Sequence, residues 1–173
     1  HKSIYHYITK GSLVEGISGD GIKYIEAVEE IKKLGSDELH NNSPRIIELV
    51  REFRMPHEVL PTQLKTQPSV WEAMLPNLGI TALIRNLGNL SKIGLLADNR
   101  PDIVNKVSDI LTNDEILKKG RIHPIQVLAA LMTYGQGHGM RGKGEWKPVR
   151  QTLNALDMTV AGHDVRLQIG ARF

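Results

Sequence analysis

From Tyr24 onward, apolar residues recur every three or four positions, the spacing that puts them on one face of a helix. Tyr24, Val28, Ile31 and Leu34 form the first stripe, closed by Gly35. Ile46, Ile47, Val50 and Phe53 form a second; Ile80, Leu83, Ile84 and Leu87 a third. Ile103, Val107 and Ile110 follow, and Val149, Leu153, Leu156 and Val160 make the cleanest. The stretch Ile125 to Met132 is apolar nearly all round except at Gln126, which predicts a central helix covered on several sides. Seven of the eight prolines (Pro44, Pro56, Pro68, Pro76, Pro101, Pro124 and Pro148) stand where a helical period begins, a place that tolerates their missing N–H. Strand-like alternation occurs only at Val165–Ile169, which predicts one short strand there or the start of a further element. The expected fold is therefore all-α, a stack of antiparallel helix pairs joined by short turns and without a heptad register. Clear self-similarity is absent, so any repeat is structural and degenerate. The expected loops are residues 135–147 and Glu15–Gly21.

Composition narrows this picture. With 173 residues and 40% hydrophobic content the chain can bury a core as one domain or as one unit of a larger array. Aromatics are scarce at 5%, and the Leu, Ile, Val and Ala that replace them favour helices. The absence of cysteine excludes disulfides, thiolate metal sites and cysteine nucleophiles, and is compatible with a reducing compartment; a cytoplasmic location is expected. No apolar run approaches the roughly 20 residues of a membrane helix, and no signal peptide is visible. A chain opening at His1 is expected of a processed or excised fragment.

Charge is unevenly spread. Residues 1–60 carry eight Lys/Arg against ten Asp/Glu, whereas residues 61–173 carry fourteen against nine. From Lys118 to Arg150 seven Lys/Arg face one acid, Glu145, the pattern of a face for polyanions or of a solvated basic surface. Within it lies Gly135-Gln-Gly-His-Gly-Met-Arg-Gly-Lys-Gly144, with five of the sixteen glycines. Glycines let backbone approach a ligand, and His138, Arg141 and Lys143 add charge and stacking planes. A Walker-type phosphate loop is excluded, because Gly142-Lys143-Gly144 lacks the Ser/Thr after the lysine and no strand precedes it.

Several ordered segments resemble the Ro 60 kDa autoantigen family, the TROVE domain. They are Tyr7-Ile-Thr-Lys-Gly11, Val70-Trp-Glu-Ala-Met-Leu75, Thr81-Ala-Leu-Ile-Arg-Asn-Leu-Gly88, Arg121-Ile-His-Pro124, and Tyr134 through Gly-His-Gly-Met-Arg-Gly-Lys to Trp146-Lys-Pro148. The likeness runs, with gaps, from about residue 4 to about residue 157. It implies an α-solenoid of HEAT-like helix pairs, closed into a ring in the whole protein. It also implies binding of small non-coding Y RNA outside the ring, and of single-stranded ends of misfolded RNA in a basic central hole. The likeness is to the C-terminal half of the repeats. The remaining TROVE repeats and a following von Willebrand A-like domain would lie elsewhere, and that domain's Asp-x-Ser-x-Ser metal motif is absent here. No cofactor, metal or membrane partner is expected.

Single-stranded RNA is held by phosphate neutralisation and by stacking. Arg141 and Lys143 are the leading phosphate candidates; the alternative is that the glycines only permit a tight interhelix turn. Arg85 either reaches phosphate from its helix or pairs with an acid on the next one, and Asn86 either contacts RNA or helps end the helix at Gly88. His123 either binds RNA or caps the helix at Pro124, whereas His138 stands in the loop itself, where stacking on a base or a hydrogen bond to phosphate is the expected role. Arg121 and Lys65 complete the RNA-binding set, and Trp71 and Trp146 read as packing anchors.

Two other classes compete. A nuclease would need His123 and His138 within reach of one phosphate, and no nucleophile or carboxylate cluster accompanies them. A helical-repeat scaffold for proteins would bind without direct RNA contact.

Overall fold

The computed structural model describes Lys10, residues 20–34, Glu38, residues 42–139 and residues 144–170, with side chains of the final helix to residue 162. Residues 15–19 of the expected loop at 15–21, Gly35, Arg141 and Lys143 lie outside them. The described residues are helical, with no strand beyond a single bridge between His138 and Glu145. Two compact units divide the chain, residues 1–77 and 78–173.

The first unit contains α1 (Asp20–Lys33), α2 (Ser43–Glu52) and α3 (Pro68–Met74). The predicted stripes supply part of its core, Val28 and Ile31 from α1 and Ile46 and Val50 from α2. Ile25 and Leu49, outside those stripes, complete it, while Tyr24, Leu34, Ile47 and Phe53 are only half-buried. Arg45 Nε reaches Glu30 across α1 and α2 at 3.2 Å. Pro56 does not open an α-helix. It caps a single 3₁₀ turn, His57–Val59, and a second turn spans Thr62–Thr66. Pro56, Pro61 and Pro68 follow so closely that each bars the residue before it from the α region, leaving room for one turn between them. Pro76 likewise sits in the 3₁₀ turn Leu75–Asn77, and the next helix begins only after Gly79. Trp71 is the anchor of this unit, 1% exposed, with its indole N–H on Lys65 O at 2.9 Å.

The second unit contains α4 (Ile80–Lys92), α5 (Pro101–Thr112), α6 (Asp114–Lys119), α7 (Pro124–Gly135) and α8 (Arg150–Gly170). α8 packs on α5 and α7, and α4 on α7. Three expectations are corrected here. α7 is not covered on several sides: it buries only Val127 and Tyr134, while Ile125 and Met132 are about 60% exposed. Its contacts with α4 and α8 use two of its sides, and no described residue covers the third. The alternation at 165–169 is not a strand, since the backbone continues as helix to Gly170; a lone strand has no neighbour to take its backbone hydrogen bonds. The buried face of α8 is Thr152, Ala155, Leu156 and Thr159, with Leu153 and Val160 only half-buried. Thr159 tolerates burial because its hydroxyl meets both Leu111 O and Ala155 O at 2.8 Å.

α6 starts on Asn113, whose side chain accepts from the N–H groups of Glu115 and Ile116. It ends in a reversal of the usual order, with Gly120 at φ −76° and Arg121 in the left-handed region at φ +50°. Gly120 is held to glycine by packing, because a Cβ there would run into Ile80 Cγ2. Arg121 then takes the strained position, at a cost of about 1 kcal/mol. Arg121→Gly is therefore expected to raise the unfolding free energy by up to about 1 kcal/mol in urea titrations. A loss of stability would mean that the arginine side chain holds the turn.

Candidate functional site

Polar residues on α4 recur at Thr81, Arg85 and Asn89, one helical turn apart, and Gln126 and Thr133 share a face of α7. These faces line a cleft of about 440 Å³. Its apolar surface comes from Ile84, Ala129, Ala130 and Tyr134, and Trp146 and Gly139 border it from the loop that joins α7 to α8.

That loop is clipped at its described base. Trp146 N–H donates to Gly137 O at 2.8 Å, and Gly139 N–H to Gly144 O at 3.3 Å, with the His138–Glu145 bridge between them. Gly137, at φ +73°, supplies the left-handed turn that starts the loop. Residues 140–143 thus connect two positions that are hydrogen-bonded to each other. Trp146 lies stacked on Tyr134, with ring centroids 6.4 Å apart and planes 14° from parallel, and its indole N–H reaches Tyr134 O at 3.0 Å. Tyr134 is itself pinned: its hydroxyl shares a 2.7 Å hydrogen bond with Ser91 Oγ and accepts from Val149 N–H at 3.0 Å. Burial pushes this phenol above its ordinary pKa. α8 begins at Arg150 and not at Pro148, and the Tyr134 hydroxyl satisfies the Val149 N–H just ahead of it, a donor with no partner inside the helix.

The indole also explains Gly88. α4 does not end there but runs on to Lys92, and a Cβ at Gly88 would stand 2.8 Å from Trp146 ring atoms. The glycine is a seat for the tryptophan.

The predicted residues separate. Arg85 lines the cleft, exposed, and its guanidinium pairs with no described acid; the ion-pair alternative finds no partner among the described residues. Asn86 turns its amide back to Ala82 O at 2.8 Å and does not line the cleft, so its place is taken by Asn89. His123 caps α7: its Nδ1 accepts from Ile125 N–H at 3.2 Å while its own N–H donates to Gln126 Oε1 at 3.0 Å. His138 is exposed on the loop, with Nδ1 3.3 Å from Gly139 O. Arg121 is exposed beside the cleft-lining Ile122. Lys65 belongs to the first unit. Arg141 and Lys143 lie outside the described residues.

Lys92 is not among the residues expected at the site, yet its Nζ comes within 3.4 Å of where a Cβ on Gly144 would stand. It lies seven residues after Arg85, two turns along the same helix face, and that spacing was the available signal. Lys147, by contrast, is held by Asp98 at 2.7 Å, which raises its pKa. No Asp, Glu or His lines the cleft among the described residues.

A helical unit with a donor-rich cleft beside a clipped glycine loop is the class of protein these features define. The family model described as the TROVE domain matches residues 54–159, and the chain belongs to that family. It is similar to the RNA-binding protein RO60 of Deinococcus radiodurans, 43% identical over 109 residues, which cover 63% of this chain and 20% of the relative. The RNA-binding protein RO60 of Caenorhabditis elegans is 31% identical over 150 residues, covering 86% of this chain and 22% of the relative. The chain therefore spans about a fifth of the length of these relatives. The crystal structure of the Deinococcus radiodurans RO (RSR) protein superposes with a TM-score of 0.75 at 32% identity, over 92% of this chain and 31% of that one. The all-α helical-repeat expectation holds on this likeness.

Proposed function

We propose that this chain is a non-catalytic RNA-binding segment of a Ro-type ribonucleoprotein. It holds small non-coding RNA, or single-stranded ends of misfolded RNA, in the cytoplasm. In the whole protein it forms one stretch of a solenoid ring, together with the remaining TROVE repeats and a von Willebrand A-like domain. Family membership and relatives named as RNA-binding proteins support the reading. The observation that carries it is Arg85, a cation without a described counter-ion, lining the same cleft as Gly139 at the base of the basic loop. A guanidinium left unpaired on an open rim is free to meet phosphate. Arg141 and Lys143 follow within four residues of Gly139, and Lys92 stands beside Gly144. Among the described residues the cleft lining holds no Asp, Glu or His, which favours holding over cleavage.

The test is the salt dependence of affinity for a labelled single-stranded decamer. Each phosphate contact contributes about −0.7 to the log–log slope. Arg85→Gln, Arg141→Gln and Lys143→Gln together are expected to flatten that slope by about 2 and to weaken binding at low salt, with the thermal midpoint nearly unchanged. A flat response in the unaltered chain favours the protein-scaffold reading. Unfolding of the Arg141/Lys143 pair variant would make the loop architectural.

A further inference from the structure

We propose that the cleft between α4 and α7 is a nucleobase pocket that accepts one unstacked keto base, uracil or guanine, and disfavours adenine. This rests on the RNA reading above and deepens it from holding a backbone to selecting a base.

The first argument is shape. At about 440 Å³ the cleft has the size of a small-ligand site. Its walls are suited to a flat ring. Its lining includes the small side chains of Ala129 and Ala130 from α7, Ile84 from α4 and the Trp146 indole. Unstacked RNA bases are commonly held between such apolar or aromatic surfaces.

The second argument is the polarity of the cleft. The His123 N–H can only donate, so the end of the Gln126 amide that it meets at 3.0 Å is the oxygen. The capping box that starts α7 thereby commits the Gln126 oxygen to the helix end and leaves Nε2 as the remaining polar end of a cleft-lining residue. Arg85, on the opposite wall, is a donor by chemistry. Thr81, Asn89 and Thr133 can each donate or accept, and no carboxylate lines the cleft among the described residues. With the Arg85 guanidinium and Gln126 Nε2, donors therefore outnumber obligate acceptors. A base that fits must present acceptors. Uracil offers two carbonyl oxygens, and guanine offers O6 and N7, the pair that a guanidinium meets bidentately. Adenine has no carbonyl oxygen, and its amino group would face donors with a donor.

The cap and the selectivity therefore share one side chain, and a substitution can separate them. In Gln126→Glu an oxygen still accepts the His123 N–H, because glutamate suits this position of a capping box, but the donor is gone. Ala130→Met places a longer apolar side chain at a position that lines the cleft.

The experiment measures the intact 173-residue chain, by fluorescence anisotropy at fixed salt, against uniform decamers of uridine, adenosine, inosine and abasic ribose phosphate. Uridine and inosine are expected to bind about tenfold more tightly than adenosine, as one good base contact confers. Inosine carries the adenine skeleton with a carbonyl at C6, so it separates keto recognition from base size. Abasic phosphate is expected to match adenosine with the same salt slope. Ala130→Met should bring uridine down to the abasic level, and Gln126→Glu should erase the uridine-to-adenosine ratio whatever it does to affinity overall. Equal affinities for all four decamers, or a preference surviving both substitutions, overturn the pocket while the salt slope leaves RNA binding standing. Absence of salt-dependent binding to any decamer overturns the RNA reading, and the pocket with it.

Discussion

Replacing Trp146 with alanine is expected to lower the unfolding free energy by about 3 kcal/mol, near the lower end for loss of a packed tryptophan because the ring is only half-buried. Three contacts disappear together. The indole leaves Gly88 on α4, the stack on Tyr134 of α7 is lost, and Tyr134 O loses its indole donor. Trp146 is thus the point at which the loop, α4 and α7 are tied. Urea titration followed by helical circular dichroism measures the effect, and Trp71 fluorescence reports on the first unit separately. A loss below about 1 kcal/mol would mean that the clip at Gly137 and Gly139 holds the loop without the ring.

The second large effect runs against ordinary helix propensity. Gly88 lies within α4, and in an open helix Gly→Ala adds about 1 kcal/mol of stability. Here the added methyl would stand 2.8 Å from the nearest atoms of a rigid ring, so Gly88→Ala is expected to destabilise by about 1–3 kcal/mol. The double variant Gly88→Ala with Trp146→Leu is the control. Once the indole is removed the alanine should become neutral or favourable, giving a coupling of about 1 kcal/mol or more. If Gly88→Ala alone raises the thermal midpoint, the indole is not seated on α4, and the cleft border at Trp146 goes with it.

Much of the helical framework was legible from periodicity. The α4 stripe buries all four residues expected, Ile80, Leu83, Ile84 and Leu87, because the helix has one packed side and one wet side. In α1, α2 and α5 the stripe finds the packed side, but Tyr24, Leu34, Ile47, Phe53 and Ile110 at its edges stay half-buried. α7 departs from its expectation for a related reason: an apolar surface on every side says nothing about which sides have neighbours. Prolines marked four helix starts correctly, at Pro44, Pro68, Pro101 and Pro124. At Pro56, Pro76 and Pro148 the chain only turns or runs extended, since a missing N–H suits those positions equally well. The site was half legible. Arg85 and the glycine loop stood out by charge and composition, but the polar partners Asn89 and Gln126 look like ordinary solvated residues until two helix faces are opposed.

By itself, then, the sequence determined the all-α class, the family and the basic glycine loop, since these depend on residues close together or on motifs in order. Only the tertiary structure decided that Gly88 seats a tryptophan 58 positions away, that His123 is committed to a helix cap, and that the Arg85 and Gln126 faces enclose one cleft. Those are contacts between distant segments, and a pattern of three- and four-residue spacings gives the face of a helix but not what it faces.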